Sequence, residues 1–424
     1  MKPKRLLICD YVPLSNKGEE AIVRGIEDIL DIKDLEIGLF DKVDNPERKG
    51  NILIFPLDWV FTDWGKYTNK FYRRISKYLY KKKQNLGLYG KLNNLISTKK
   101  DSFKIMNDFF MTSDYIIAGH DGVFSNDHAV IIKSISNLGK RIGVVGSGSN
   151  SIFPFSNPDF EKLYRDAVAS SDFFTLRDKT SYEGLIEIGC DKESLYLGPD
   201  PAFAMIKSSQ ADVSRFLEGK MWYKSARAEN KKIIGVSVTN KSIMTSFFSN
   251  NSNEAQDMHI SYLSSTFDNL VNSNNFFLVF LPHSIEPGSR NDLETAEKVF
   301  SRMVNKKCAH VMKSDLSARM FKGIMGELPF VIGQRRHVLI GTFSAPTPFA
   351  GLIHSKDINT IDIIGEMCQS KESLLFMDEK TPFQASERII ELFENRVEQL
   401  KIQKKINKIF TSQFKEISRM VHGF

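Results

Sequence analysis

The residues able to do chemistry in this chain sit where apolar runs end. The densest group is Phe330-Val331-Ile332-Gly333-Gln334-Arg335-Arg336-His337. An apolar strand runs into a glycine, then Arg335 and His337 follow two apart, ahead of an apolar run that reads as helix. Such a strand end delivers both side chains to the place where open α/β sheets bind ligands. Guanidinium forks match carboxylate and phosphate. Imidazole is the side chain best suited to proton transfer near neutral pH. His283 follows a second apolar run, 276–281, and frames a loop with Asp292.

Three other strand ends carry polar groups. Asn16-Lys17-Gly18-Glu19-Glu20 follows the first strand. A glycine there lets backbone approach a ligand closely, and the helix that follows offers N–H groups to an anion. Glu19 and Glu20 either complement the helix dipole or do acid–base work. Gly119-His120-Asp121-Gly122 is either a loop facing a cleft or a turn whose aspartate caps a helix. Arg177 ends a strand before a helix; the ordinary alternative is a surface arginine paired with an acid. Gly146-Ser147-Gly148-Ser149-Asn150-Ser151 is a small-residue loop of the kind that cradles phosphate through backbone amides. It lacks the Lys-Ser/Thr of a Walker loop. The four cysteines, Cys9, Cys190, Cys308 and Cys368, form no CxxC pair and no ligand cluster. They read as buried thiols of a reducing compartment, with no metal expected.

The elements that must position these groups alternate. Short continuous apolar runs, such as 5–9, 36–40, 51–55, 115–118, 141–145, 173–176, 232–238, 276–281, 310–312, 330–332 and 349–353, are separated by helical patterns. Continuous runs are strands covered on both faces, as in parallel sheets. The alternation predicts doubly wound α/β domains. Two domains are expected for 424 residues: 1–205, then a linker region at 206–230, then 231–382. A helical segment at 383–424 is expected to pack back on the first domain.

Composition is ordinary for a globular chain, with 42% hydrophobic and 26% charged residues. No apolar stretch approaches the roughly 20 residues of a membrane span, and the short apolar start is read as a strand and not a signal peptide. The expected location is cytoplasmic. The net charge of +7 is uneven: 66–100 holds eleven Lys/Arg and no acid, interleaved with aromatics. A packed amphipathic helix with solvated lysines is the default there. Peripheral contact with the inner membrane face, at a lipid-linked acceptor, is the sharper reading. Nucleic acid is not expected, because no recognised motif accompanies the charge.

In order, the segments NKGEEAI, RDKTS, GPDPAF, LPHS, VIGQRRHVLIG and FAGLIHSKD resemble the motifs of the polysaccharide pyruvyl transferase family. The resemblance implies two facing Rossmann-like domains, a glycosyltransferase-B-like fold, with the active site in the cleft between them. It implies transfer of the pyruvyl group of phosphoenolpyruvate to two sugar hydroxyls as a ketal, with phosphate release, in surface polysaccharide biosynthesis. Phosphoenolpyruvate is then the donor substrate, a sugar or lipid-linked oligosaccharide the acceptor, and no cofactor is needed. Arg177, Arg335 and His337 match positions that hold phosphoenolpyruvate. His337, Glu19 and Asp121 are the catalytic candidates, with the general acid open between His337 and Glu19. His120, Asn16 and His283 are the acceptor-binding candidates. Two departures stand out. Glu19 replaces the family's usual Asp, and Gly119-His120-Asp121-Gly122 replaces a Gly-Gly-Gly loop, which points to a different acceptor or donor. The competing readings are a glycosyltransferase with a nucleotide-sugar donor and a non-enzymatic binder of anionic glycans or lipid head groups.

Overall fold

The computed structural model describes residues 3–56, 100–120, 124–148, 158–249, 251–273, 275–286 and 291–423. Asp121, the end of the small-residue loop at 149–151 and the basic stretch up to residue 99 lie outside the described residues. The chain divides into two compact units. The first comprises Met1–Leu14, Ile26–Pro201 and Gln413–Phe424; the second comprises Ser15–Gly25 and Ala202–Ser412.

Among the described residues the first unit carries eight strands: β1 Arg5–Tyr11, β2 Glu36–Asp41, β3 Glu47–Lys49, β4 Ile52–Pro56, β5 Tyr115–Ile117, β6 Ile142–Ser147, β7 Phe173–Leu176 and β8 Tyr196–Leu197. Their order is β3-β4-β2-β1-β5-β6-β7-β8. All neighbours are parallel except β3 on β4. Leu6, Leu7 and Ile8 are buried at consecutive positions, because helices cover both faces of the sheet. Phe124, Tyr164 and Phe174 meet edge to face in the core, with centroids 5.0–5.2 Å apart. From β1 the winding runs outward to β2 and β4, then restarts at β5 on the other side. The topological switch point therefore lies between β1 and β5.

Among the described residues the second unit carries six parallel strands: β9 Lys232–Ser237, β10 Phe276–Phe280, β11 Ala309–Val311, β12 Val331–Gly333, β13 Phe349–Ile353 and β14 Leu374–Phe376. The order is β11-β10-β9-β12-β13-β14, which puts its switch point between β9 and β12. The expected strands all form, with ends moved by a residue or two. Three short edge strands, β3, β8 and β14, add to them. β3 is the exposed Glu-Arg-Lys tripeptide, charged as edge strands usually are.

Two boundaries differ from the expected ones. Much of the segment 206–230 is folded and belongs to the second unit: it forms helices Gln210–Glu218 and Met221–Ala228. Ser209 caps the first of these, and Val213, Leu217 and Ala226 are buried. Of the C-terminal stretch, only Gln413–Phe424 counts with the first unit. There Arg141 donates to the carbonyls of His422 and Met420 at 2.9 and 2.8 Å. The helix Pro382–Glu394 packs within the second unit, where Phe393 meets Phe276 and Phe330 at 5.1 and 5.7 Å. No helix among the described residues is long and apolar enough to cross a membrane.

Candidate active site

In the second unit, β12 ends at Gly333 and the chain turns through Gln334 and Arg335 into the helix Arg336–Ser344. Gln334 pins this turn to the end of β9: its N–H donates to the Ser237 carbonyl at 2.9 Å, and its side-chain oxygen accepts from Thr239 N–H at 3.0 Å. Arg335, with extended backbone, points its buried guanidinium at Asp292. Nε donates to Oδ2 at 2.5 Å and a terminal nitrogen to Oδ1 at 2.7 Å. Asp292 is fully buried at the start of the helix Asp292–Arg302. The same Oδ2 accepts from the N–H groups of His283 and Ser284 at 3.3 and 3.0 Å. One carboxylate thus locks the arginine fork to the loop after β10.

His283 is buried, with its ring stacked parallel on Phe321 at 6.0 Å. Burial, and then charge interactions with Arg335, His337, Lys17 and Lys241, hold its pKa well below the ordinary imidazole value. It is therefore neutral at neutral pH. Its Nδ1 is buried with no hydrogen-bond partner among the described residues.

The segment Asn16–Glu20 joins this group. Asn16 bridges Ser284 and accepts from Gly18 N–H at 3.1 Å, which starts the helix Lys17–Leu30. Lys17 N–H donates to the His283 carbonyl at 3.0 Å. Its buried ammonium faces Asp315 at 2.9 Å and Glu20 at 3.4 Å. Gly18 is required by space: a Cβ there would lie 2.5 Å from Nδ1 of His337. Glu19 occupies the first turn of the same helix, partly buried. Lys322, on the helix Ala318–Glu327, is 4% exposed and donates to the carbonyls of Phe203 and Met205 at 3.1 and 2.5 Å. Lys17, His283, Phe321, Lys322, Met325 and His337 line part of a narrow crevice within the second unit. Two lysines and two histidines line it; Lys17 is paired with Asp315 and Glu20, Lys322 donates to two carbonyls, and the Arg335 fork is held by Asp292.

The structure thus brings Asn16, Glu19, His283, Arg335 and His337 into one unit. Arg177 and His120 belong to the first unit. Arg177 is 1% exposed and pairs with the fully buried Asp200 at 2.5 Å. His120, just beyond β5, lies 2.9 Å from Asp10. Sequence reasoning assigned no role to Lys322, Asp10 or His128. Lys322 had a legible signal, a cation among Phe321, Ile324 and Met325 on the apolar face of its helix.

The fold is the glycosyltransferase-B and epimerase type, with two Rossmann-like α/β units. The chain is similar to a putative UDP-N-acetylglucosamine 2-epimerase from Listeria monocytogenes, with 14% identity over 95% of this chain and 91% of that one and a TM-score of 0.54. It is also similar to a UDP-GlcNAc 2-epimerase from Neisseria meningitidis solved with UDP-GlcNAc, at 10% identity, 96% and 98% coverage and a TM-score of 0.51. A glycosyltransferase from Rickettsia africae gives 11% identity, 100% and 97% coverage and a TM-score of 0.51. No curated protein matches the chain. The family described as polysaccharide pyruvyl transferase matches residues 16–356. The chain belongs to that family and is an enzyme of the transferase class.

Proposed function

We propose that this enzyme moves the pyruvyl group of phosphoenolpyruvate onto two hydroxyls of a sugar in a surface polysaccharide. The observation that carries this reading is the grouping of Lys17, Lys322, Arg335 and His337 about the loops that follow β10 and β12, inside the family match. Phosphoenolpyruvate carries a carboxylate and a phosphate, so it needs several cationic groups at once. Arg335 and His337, with Lys17 and Lys322 beside them, meet that demand.

The reaction begins with a proton delivered to the methylene carbon. One acceptor oxygen bonds to the adjacent carbon and gives up its proton. The carbon–oxygen bond to phosphate then breaks, and the second acceptor oxygen takes its place and loses its own proton. One hydroxyl proton replaces the proton given to carbon, and the other leaves with phosphate. His337 and Glu19 are the proposed donors and acceptors of these protons. The cations neutralise charge as phosphate departs. Arg177 enters through its family motif, with its Asp200 ion pair fixing its direction. Asn16 and His283 are proposed on the acceptor side.

The test is phosphate release from phosphoenolpyruvate by the purified enzyme, with and without a panel of acceptor glycans, repeated on Arg335→Ala and His337→Ala. Acceptor-dependent release that both substitutions abolish is the expected result. No binding of phosphoenolpyruvate by calorimetry, with release of a nucleoside diphosphate from a nucleotide sugar instead, would move the enzyme to the glycosyltransferases.

A further inference from the structure

The helix Arg396–His422 has one face settled by its contacts. Its first part, up to Ser412, belongs to the second unit. Residues 399, 403, 406, 407 and 410 face inward, at the spacing of an amphipathic helix. Gln399 accepts from Phe349 N–H at 2.8 Å. Gln403 donates to the Thr347 carbonyl at 2.8 Å, and Asn407 to the Phe343 carbonyl at 3.1 Å. Ile406 and Phe410 are buried, and Phe410 meets Phe203 edge to face at 4.9 Å.

The opposite face carries Lys401, Lys404, Lys405 and Lys408, all exposed. They stand at i, i+3, i+4 and i+7, so they form one patch. No acidic residue occurs from 399 to 415. Lys401 pairs with Glu398 at 2.7 Å, and among the described residues the other three make no ion pair. Like charges three and four apart repel along a helix, and here 401 and 408 each oppose both 404 and 405. Exposed helix faces elsewhere put an acid at that spacing: Glu294 lies 2.6 Å from Lys298, and Glu391 2.8 Å from Arg388. A patch left uncompensated in this way attracts anions. Val397, Ile402 and Ile409 share the outward side, 58%, 36% and 47% exposed. That mixture selects the kind of anion. A nucleic-acid backbone pairs with lysines but gains nothing from aliphatic side chains. Single-stranded bases stack on aromatics, and the one aromatic of 396–412, Phe410, is buried. The surface of an anionic bilayer takes both: ammonium groups meet lipid phosphates while their stems and the aliphatic neighbours lie at the acyl boundary.

We propose that the outward face of residues 396–412 docks this enzyme on an anionic phospholipid bilayer, with the helix lying in the plane of the interface. Lys401, Lys404, Lys405 and Lys408 contact head-group phosphates, and Val397, Ile402 and Ile409 enter the acyl boundary. This surface is separate from the basic stretch 66–100, and it stands whichever donor the enzyme uses.

The test is flotation of the full chain with vesicles of phosphatidylcholine alone or mixed with phosphatidylglycerol. The chain should float with the anionic vesicles at low salt and not with the neutral ones, and its affinity should fall as salt rises. The combined change Lys404→Gln, Lys405→Gln and Lys408→Gln should weaken that affinity about 10²-fold at low salt, about fivefold per lysine. It also relieves repulsion within the helix. The thermal midpoint should therefore match or exceed that of the unmodified chain, which separates lost docking from lost folding. Ile402→Ser with Ile409→Ser should weaken the affinity at least about threefold and leave its salt dependence unchanged. An unmodified chain that stays off anionic vesicles at low salt overturns the proposal. So does a triple variant that binds as well as the unmodified chain, since the stretch 66–100 would then account for binding. A serine pair without effect, or duplex DNA bound in preference to the vesicles, overturns it as well, because the surface would then be a general polyanion site.

Discussion

Asp292 accepts from four donors: Nε and a terminal nitrogen of Arg335, and the N–H groups of His283 and Ser284. A fully buried carboxylate in that position holds Arg335, proposed above to bind the donor, at a fixed angle. Removing one partner of such a pair leaves a buried charge uncompensated, at a cost of about 3–5 kcal/mol. Asp292→Asn is therefore expected to weaken phosphoenolpyruvate binding at least tenfold by calorimetry and to lower the unfolding midpoint in urea. A folded variant with unchanged donor affinity would show that Arg335 needs no such anchor. The same physics applies to Arg177 and Asp200. Arg177→Met should destabilise the protein by several kcal/mol, because the fully buried Asp200 loses its guanidinium partner. A stability change under about 1 kcal/mol would contradict a structural share in its role.

At the scale of elements, two contacts carry predictions. The helix Lys17–Leu30 begins against the helix Arg336–Ser344, and a Cβ at residue 18 would lie 2.5 Å from Nδ1 of His337. Gly18→Ala must push the imidazole aside. The expected outcome is a loss of acceptor-dependent turnover of at least tenfold, with circular dichroism and thermal midpoint close to those of the unmodified protein. Retained turnover would remove His337 from the proton-transfer role. The helix Pro382–Glu394 is held to its sheet by Phe393 against Phe276 and Phe330. Phe393→Ala should cost about 3–5 kcal/mol in equilibrium unfolding. A cost below 1 kcal/mol would mean that this helix is not part of the cooperative core of the second unit.

At the scale of the whole molecule, buried histidines set the response to acid. Burial, opposed only in part by its hydrogen bond to the Thr239 carbonyl, brings the pKa of His259 from 6.5 to about 4, and His283 is depressed as well. Both are neutral in the folded chain, and the unfolded chain takes up their protons first. Their stabilisation is complete above pH 6.5 and is lost progressively as pH falls toward the folded values, by up to about 3 kcal/mol at pH 4 for His259 alone. Unfolding free energy measured from pH 7.5 to 4.5 should fall, and His259→Gln should flatten the slope; a pH-independent baseline would refute the assignment. The sequence by itself determined the alternating β/α order, nearly all of the strands, and the strand ends that carry Arg335, His337, His283 and Asn16. Those features are local: apolar runs, glycine turns and spacing record which strand a residue terminates. Tertiary structure decided which strand ends stand side by side, because strand order follows from long-range pairing and not from neighbours in sequence. That ordering put Asp10 next to His120 and His128, gave Asp292 to Arg335 across 43 residues, turned Arg177 toward Asp200, and folded the segment 206–230 into the second unit.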